Sequence, residues 1–183
     1  MRPAMVLRRH WCLTGIGNPE PRYRGTRHNI GLYVLDRLKD TLAPGGQYTR
    51  QGCVHVYTSG QFTFIRSDID YINLSGPSIR PSWQKLLQNE HDTEFIVVHD
   101  ELSLPLGKVQ LRDHKTSHRG HNGLKSILHH VHIPFKKLSI GIGRPQTTDP
   151  QQVADYVLSK TTDQELRSID NSIAKALQLI NIN

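Results

Sequence analysis

The chain has 183 residues, of which 36% are hydrophobic, and it carries a formal net charge of +7 at neutral pH. This length is typical of a single domain with one buried core, here residues 1–183, and the apolar content excludes a disordered chain. No apolar run is long enough to cross a membrane, so we expect no membrane partner, and the positive charge favours a polyanionic partner such as nucleic acid.

Regular hydrophobic spacing predicts strands and helices along the first half of the chain. In chain order these are a strand at residues 11–14, a helix at 30–42, a hairpin of strands at 54–57 and 62–65, and a helix around Trp83 that starts only after Pro77 and Pro81. The first strand ends at Gly15-Ile16-Gly17, and a loop containing several prolines follows it.

The second half of the chain continues this alternation. Its predicted elements are strands at 95–98, 108–112 and 138–142, a helix at 124–131, and a last helix striped by Leu166, Ile169, Ile173, Leu177 and Ile180. The run Phe95-Ile96-Val97-Val98 is apolar throughout, as expected for a central parallel strand buried on both faces. Strands alternating with helices predict an α/β sandwich.

One histidine, His28, lies in the loop after the first strand, within Thr26-Arg27-His28-Asn29. Loops beyond the carboxyl ends of the strands gather in one cleft of an open α/β sheet, so Asn18, His28 and Asp100 are expected to meet there. A histidine, a carboxylate that orients it and neighbouring amide groups suit the attack of water on an acyl bond. No serine or cysteine nucleophile stands in a recognisable setting, which favours an esterase-like hydrolase that uses water directly.

Each of these residues also has a plainer interpretation. A single histidine among the 11 of this chain is more often structural than catalytic, and Asp100 could be a structural acceptor. His99 rivals His28 as a base by composition. Successive strand side chains point to opposite faces, however, so His99 would bind the neighbouring Asp100 poorly.

The sequence indicates neither a cofactor nor a metal. Cys12 and Cys53 fall in predicted strands and are expected to be inert, buried thiols. The other histidines match no zinc spacing. Gly15-Ile16-Gly17 and Gly141-Ile142-Gly143 complete no nucleotide-binding fingerprint.

Several short motifs occur along the chain in a characteristic order. They are Gly-Ile-Gly-Asn-Pro at 15–19, Tyr23, Thr-Arg-His-Asn at 26–29, Asn-Leu-Ser-Gly at 73–76, His-Asp-Glu-Leu-Ser-Leu-Pro-Leu-Gly at 99–107, Arg-Gly-His-Asn-Gly-Leu-Lys-Ser at 119–126 and Ile-Gly-Ile-Gly-Arg-Pro at 140–145. With these motifs, almost the whole chain resembles the bacterial-type peptidyl-tRNA hydrolases. The local sequence around Thr14 and Glu101 is similar to that of fungal members of the family.

This resemblance implies a single-domain, three-layer α/β/α sandwich around a twisted, mixed and mostly parallel sheet. It implies an enzyme that hydrolyses the ester joining a peptide to tRNA. His28 would activate a water molecule, Asp100 would orient His28, and Asn18 would position the water or the ester. The residues that would bind the substrate in the cleft are Tyr23, Asn73, His121 and Asn122.

The expected partners follow from the same resemblance, and the basic start of the chain bears on the location. We expect a monomer that binds the acceptor end and peptide of peptidyl-tRNA, without cofactor or metal. The location is cytoplasmic or mitochondrial, because the basic start of the chain (Arg2, Arg8 and Arg9) fits either a short mitochondrial address or an ordinary N-terminus. The alternative function is a non-catalytic RNA-binding module of the splicing-factor type, and retention of His28, Asp100 and the asparagines speaks against it.

A tRNA is held by its phosphates, which requires cations. The residues expected to supply them are Lys108, Arg112, Lys136, Lys137 and Arg144, with Lys115, Arg119 and Lys125 in second rank. Residues 113–119 depart from the family pattern, because a longer and more charged loop replaces a flexible glycine-rich stretch. The motion of this loop, which would act as a lid, and its contacts with RNA are left open.

Overall fold

A seven-stranded sheet lies at the centre of the computed structural model, which describes residues 9–90 and 92–182. The strands are β1 (His10–Ile16), β2 (Thr49–Gln51), β3 (Val54–Ser59), β4 (Phe62–Ser67), β5 (Thr93–Glu101), β6 (Val109–Arg112) and β7 (Lys136–Gly141). The helices are α1 (Ile30–Leu42), α2 (Ser75–Asn89), α3 (Asn122–His130), α4 (Pro150–Leu158), α5 (Asp163–Asp170) and α6 (Ile173–Ile180). The basic residues Arg2 and Arg8 lie outside the described residues.

The sheet order is β2-β3-β4-β1-β5-β7-β6. β1 runs parallel to β4 and β5, and β5 runs parallel to β7. β3 is antiparallel to β2 and β4, and β6 is antiparallel to β7. All strands except β3 and β6 therefore point the same way, which confirms a mixed, mostly parallel sheet.

Each face of the sheet has its own hydrophobic core, as the three-layer prediction requires. One core joins β1 and β5 to α1, α5 and α6, and it includes Leu13, Leu35 and Ile169. The other joins the sheet to α2 and α3 around Trp83, whose indole N–H donates to the Thr14 hydroxyl at 3.0 Å. No helix within the described residues combines the length and apolar character that a bilayer span needs.

The first turn of α1 lies very close to β5. A Cβ atom on Gly31 would be only 2.4 Å from the carbonyl oxygen of Val98, so a larger residue would push the helix away. Because His28 precedes this turn and Asp100 follows Val98, the close approach brings their side chains together.

Some boundaries differ from the predicted ones. Helix α2 begins at Ser75, with Pro77 in its first turn and Pro81 inside it. Proline is tolerated in the first turn because the N–H groups there have no partner within the helix, whereas Pro81 leaves one helix hydrogen bond unmade. The apolar stripe in the last part of the chain is divided between α5 and α6, which meet at Asn171 and Ser172.

The two cysteines also differ from each other. Cys12 is buried in β1, where burial raises the pKa of its thiol to about 12, so it is inert as predicted. Cys53 is exposed in the turn between β2 and β3, and the prediction of a buried strand position is wrong there. The short edge strand β2 was not predicted, because its three residues are exposed and lack an apolar pattern.

Candidate active site

The site lies at the edge of the sheet that the carboxyl ends of β1 and β5 share. His28 occupies a single 3-10 turn before α1, and its Nδ1 is 2.9 Å and 3.0 Å from the two carboxylate oxygens of Asp100. Asp100 is near the end of β5 and only 2% exposed. An ionised carboxylate only accepts hydrogen bonds, so Nδ1 of His28 carries a proton and donates it. Nε2 of His28 therefore keeps the lone pair that a base needs.

The electrostatics of this pair favour a charged aspartate beside a basic histidine. Burial alone would lower the pKa of His28, but the charge and hydrogen bond of Asp100 outweigh it, so the pKa lies above its ordinary value. Burial likewise opposes ionisation of Asp100. The imidazole of His28, with the hydrogen bonds from His28 and His121, overcomes that penalty and holds the pKa of Asp100 well below its usual range.

His121 shares the same carboxylate. Its Nε2 lies 2.8 Å from Oδ1 of Asp100. Its Nδ1 accepts a 3.3 Å hydrogen bond from the backbone N–H of Leu124, which makes His121 the N-cap of α3. We predicted that His121 would hydrogen-bond the substrate, but the protein itself engages both ring nitrogens.

Asn18 is held in a defined orientation. Its backbone N–H donates to Oδ1 of Asn29 at 2.8 Å, and Nδ2 of Asn29 donates to its carbonyl at 3.1 Å. Its own Oδ1 accepts from the backbone N–H of Ile72 at 3.0 Å. Nδ2 of Asn18 has no hydrogen-bond partner among the described residues, so Asn18 has a free donor to offer a substrate. The sequence analysis assigned no role to Asn29, whose side chain holds the backbone of Asn18.

The remaining substrate-binding candidates have accessible side chains. Asn73 and Asn122 are exposed, and Tyr23 is half-buried. The ring of Tyr23 packs edge to face against Tyr71, with 5.9 Å between ring centroids. Tyr71 is 47% exposed, and the sequence analysis did not single it out. Its signal was a large aromatic residue two positions before Asn73, just ahead of a motif already assigned to the site.

A cleft of about 480 Å³ opens over the histidine–aspartate pair. Its polar residues are His28, Asp100, Glu101, Arg119, His121, Asn122, Arg144 and Thr148, and its apolar side is formed by Leu102, Pro150, Val153, Ala154 and Val157. Asn18, Tyr23 and Asn73 do not line this cleft. Asn18 is nevertheless connected to the wall of the cleft through Ile72, whose backbone N–H it binds. Ile72 and His121 both lie so close to Gly123 that a Cβ atom there would contact them.

The α4 side of the cleft is tied to the loop that carries His28. Arg27 donates to Glu165 at 2.7 Å and to the carbonyl of Lys160 at 3.0 Å. Its guanidinium also lies 4.4 Å from the ring centroid of Tyr156, in α4. Arg27 therefore anchors one end of α4 next to the candidate base. No local pattern could predict this contact, because the partners of Arg27 are more than 120 residues away.

His99 has a structural place. It is completely buried, its Nδ1 donates to the carbonyl of Asp100 at 2.7 Å, and its Nε2 contacts the Ser139 hydroxyl at 3.0 Å. Burial lowers the pKa of His99 to about 3, so the ring is neutral. Its side chain makes no hydrogen bond to the Asp100 carboxylate, in agreement with the strand geometry.

The structure separates the predicted phosphate ligands. Arg144 is exposed and lines the cleft, and Lys108 is exposed just before β6. Lys136 instead starts β7, four positions before Ile140, the residue that pairs with Asp100. At about 3.3 Å per residue, Lys136 lies about 13 Å from Ile140 along the strand. There it forms a 2.7 Å ion pair with Glu94. β7 therefore carries Lys136 away from the edge of the sheet that holds the site, and its role as a phosphate ligand stays a prediction.

Lys137 and Arg112 are buried beneath the loop of residues 113–119. Lys137 donates to the carbonyls of His114 (3.2 Å) and Thr116, and Arg112 donates to the carbonyl of Ser117. Burial, with repulsion from Arg112, lowers the pKa of Lys137 to about 8. Their predicted role as phosphate ligands is wrong for this arrangement, because their donors hold the loop.

We expect Lys137→Met to loosen this loop. Charge-assisted hydrogen bonds contribute about 1.5–3 kcal/mol each, so losing them should increase the open population about tenfold or more. Limited trypsin digestion at Lys115 and Arg119, resolved by mass spectrometry, should then be correspondingly faster. Lys108→Met, which removes an exposed cation near β6, is the control. Equal cleavage rates in wild type and Lys137→Met would contradict the tether.

Among the described residues, one group of histidine, cysteine and acidic side chains is compact enough to share an ion. It comprises His28, Asp100 and His121, with candidate ligand atoms within 4.8 Å of one another. In the observed bonding, both histidines present protons and not lone pairs to Asp100. A cation would have to displace these protons and the Leu124 cap, so this donor set suits proton chemistry better than metal binding. The absence of a metal stays a prediction.

Comparison with known proteins shows the family to which this chain is similar. Residues 12–182 match the model of a family described as peptidyl-tRNA hydrolase. A peptidyl-tRNA hydrolase of Saccharomyces cerevisiae is 45% identical over 167 residues, which cover 86% of this chain and 87% of the relative. One of Geobacillus kaustophilus is 38% identical and covers 88% of this chain and 86% of the relative.

The fold is similar to a solved structure as well. The crystal structure of peptidyl-tRNA hydrolase from Acinetobacter baumannii superposes with a TM-score of 0.75 at 28% identity, covering 93% of this chain and 88% of that one. The family match spans nearly the whole chain, and it includes the strand end with Asp100 and the turn with His28. The chain therefore belongs to the peptidyl-tRNA hydrolase family, as its motifs predicted.

Proposed function

We propose that this protein hydrolyses the ester bond of peptidyl-tRNA with a water molecule activated by His28. The observation that carries the proposal is the hydrogen bond from Nδ1 of His28 to the buried Asp100, which leaves Nε2 as the available base. His28 lines the cleft, and Nε2 has no hydrogen-bond partner among the described residues. Family membership supplies the substrate class.

The reaction needs one proton to move twice. As water attacks the ester carbonyl carbon, Nε2 of His28 takes one of its protons and a tetrahedral oxyanion forms. Asp100 stays ionised and stabilises the resulting imidazolium. The intermediate then collapses, the bond to the ribose oxygen breaks, and the imidazolium returns its proton to that oxygen. The products are a peptide acid and tRNA with a free hydroxyl.

Amide donors suit the oxyanion. Nδ2 of Asn18 is available because Oδ1 is bound to Ile72, and neutral N–H groups stabilise developing negative charge. In the proposal Asn73 binds the peptide main chain, Asn122 positions the ester or water, and Tyr23 packs near the ribose or the terminal base. The exposure of Asn73 and Asn122 leaves their amides free for these contacts.

Arg144 and Lys108 are the proposed contacts with tRNA phosphates, with Arg119 at the cleft as a further candidate. Arg144→Gln should raise KM for peptidyl-tRNA and reduce the slope of log KM against log salt by about 1, because one phosphate contact is lost. Turnover of a phosphate-free N-acyl-aminoacyl-adenosine should not change. Lys136→Gln, which removes a cation remote from the cleft, is the matched control. An unaltered salt slope in Arg144→Gln would exclude this contact.

The function itself is tested with purified wild-type protein. We expect it to release acyl-amino acid from N-acyl-aminoacyl-tRNA, monitored by loss of the ester under conditions where the protein-free reaction is slow. Binding of this tRNA without turnover would favour the RNA-binding alternative. Equal efficiency on simple small esters would instead indicate a general esterase.

The proposal also describes a monomer that needs neither cofactor nor metal and works in the cytoplasm or the mitochondrion. Sedimentation would test the oligomeric state, and dialysis against a chelator should leave turnover unchanged. Subcellular fractionation would decide the location.

A further inference from the structure

His121 uses both ring nitrogens inside the protein, and this constrains what it can do in the reaction. We infer that His121 is a positioning residue that holds the Asp100 carboxylate as a neutral hydrogen-bond donor, and that it neither carries a catalytic proton nor binds the substrate through its ring nitrogens. This inference rests on the proposed function, because it assigns a task within the same site.

The hydrogen bonds identify the tautomer. Nδ1 of His121 faces the backbone N–H of Leu124, which can only donate, so Nδ1 must accept and carries no proton. Nε2 faces Oδ1 of the ionised Asp100 at 2.8 Å, so Nε2 must carry the proton. A doubly protonated ring would set two N–H groups against each other and remove the helix cap.

The placement of the ring explains the effect on Asp100. The side chain of His121 is 8% exposed and packs between two other imidazoles, with centroids 5.0 Å from His28 and 5.1 Å from His99. Anchored at one end to α3, the ring directs its N–H at Oδ1 alone, whereas His28 contacts both oxygens. This contact fixes the rotation of the carboxylate, and the carboxylate in turn aims Nε2 of His28.

Two other roles would need a different arrangement. A second proton carrier needs a nitrogen that can gain a proton, and Nδ1 is occupied by the cap. A hydrogen-bonding substrate ligand needs a nitrogen open to the cleft, and Nε2 is occupied by Asp100. Both roles would require rupture of a bond that the fold makes.

Two substitutions separate the bonds of His121. In His121→Asn the amide oxygen can stand near the position of Nδ1 and keep the cap, but the side chain is too short to reach Asp100. In His121→Gln the amide N–H can reach the position of Nε2 and donate to Asp100, but it cannot titrate, and glutamine is a poorer cap. Each variant retains one bond and loses the other.

We expect the two variants to rank in one order by activity and in the opposite order by stability. His121→Asn should lose about ten- to a hundredfold in kcat with little change in KM, a part of the about 10²–10⁴-fold that a positioned base contributes. It should melt near the wild-type temperature. His121→Gln should recover most of the lost kcat, although its Tm falls by about 2–4 °C because the cap is weakened.

Other patterns would overturn the inference. If both variants are equally inactive, His121 carries a proton. If both mainly raise KM, it binds substrate, and if activity follows Tm, its role is structural only. Nitrogen-15 chemical shifts of wild-type His121 at pH 7 give a test independent of turnover. An unprotonated Nδ1 and a protonated Nε2 are expected, and an imidazolium or the opposite tautomer would refute the assignment even if the protein hydrolysed peptidyl-tRNA.

Discussion

Replacement of His28 by alanine is expected to lower kcat for peptidyl-tRNA hydrolysis by about 10²–10⁴-fold, because the variant has no group to take the proton of the attacking water. KM should change little, since the proposed contacts with peptide and phosphates involve other side chains. Steady-state kinetics on N-acyl-aminoacyl-tRNA would measure both constants. Added imidazole should restore part of the rate, because loss of the His28 side chain leaves space next to Asp100 at the surface of the cleft.

The control for His28→Ala is the binding of uncharged tRNA together with the circular dichroism spectrum. Both should match the wild type, because His28 is at the surface of the cleft and not in either hydrophobic core. A variant that retains more than about a tenth of wild-type kcat would remove His28 from the role of base.

Asp100→Asn is the second substitution that we expect to lower the hydrolysis rate strongly. The substitution conserves shape but removes the charge that selects the Nδ1–H tautomer of His28, and loss of the equivalent charge in a serine-protease triad costs about 10⁴-fold. We expect the plateau of kcat/KM to fall by about 10²–10⁴-fold. The buried position tolerates asparagine by size, so thermal melting should still show a cooperative transition.

The pH dependence of Asp100→Asn gives a second, directional test. In the wild type, activity should rise with pH as His28 loses its proton, around a pKa that Asp100 holds above the ordinary value. Without that charge, burial remains and lowers the pKa of His28, so the acid limb of the profile should move to lower pH. A limb that moves to higher pH, or an unchanged plateau, would contradict the assigned pairing.

Local patterns predicted most of the secondary structure and failed where distant contacts override them. The apolar run of Phe95-Ile96-Val97-Val98 became the centre of β5 because such a run is stable only between two covered faces. The start of α2 was predicted too late, because packing of Ile79 and Trp83 against the sheet outweighs the helix bond that Pro81 cannot make.

The charged residues show even more clearly that local sequence patterns fail where distant contacts decide the outcome. Lys137 is as hydrophilic in the sequence as Lys108, yet one is completely buried and the other exposed. What distinguishes them is the position of the 113–119 loop, whose carbonyls satisfy the Lys137 ammonium. Charge by itself could not separate a phosphate ligand from a loop anchor.

The sequence by itself determined the α/β class, the family and the identity of the candidate base and its carboxylate, because amphipathic spacing and the order of short motifs are properties of the chain. Only the tertiary structure decided how the groups divide the chemistry. It placed His28 and His121 on one carboxylate, turned Asn18 into a donor and removed Lys136, Lys137 and Arg112 from the cleft. The reason is that hydrogen-bond direction and burial depend on atoms brought together from distant parts of the chain.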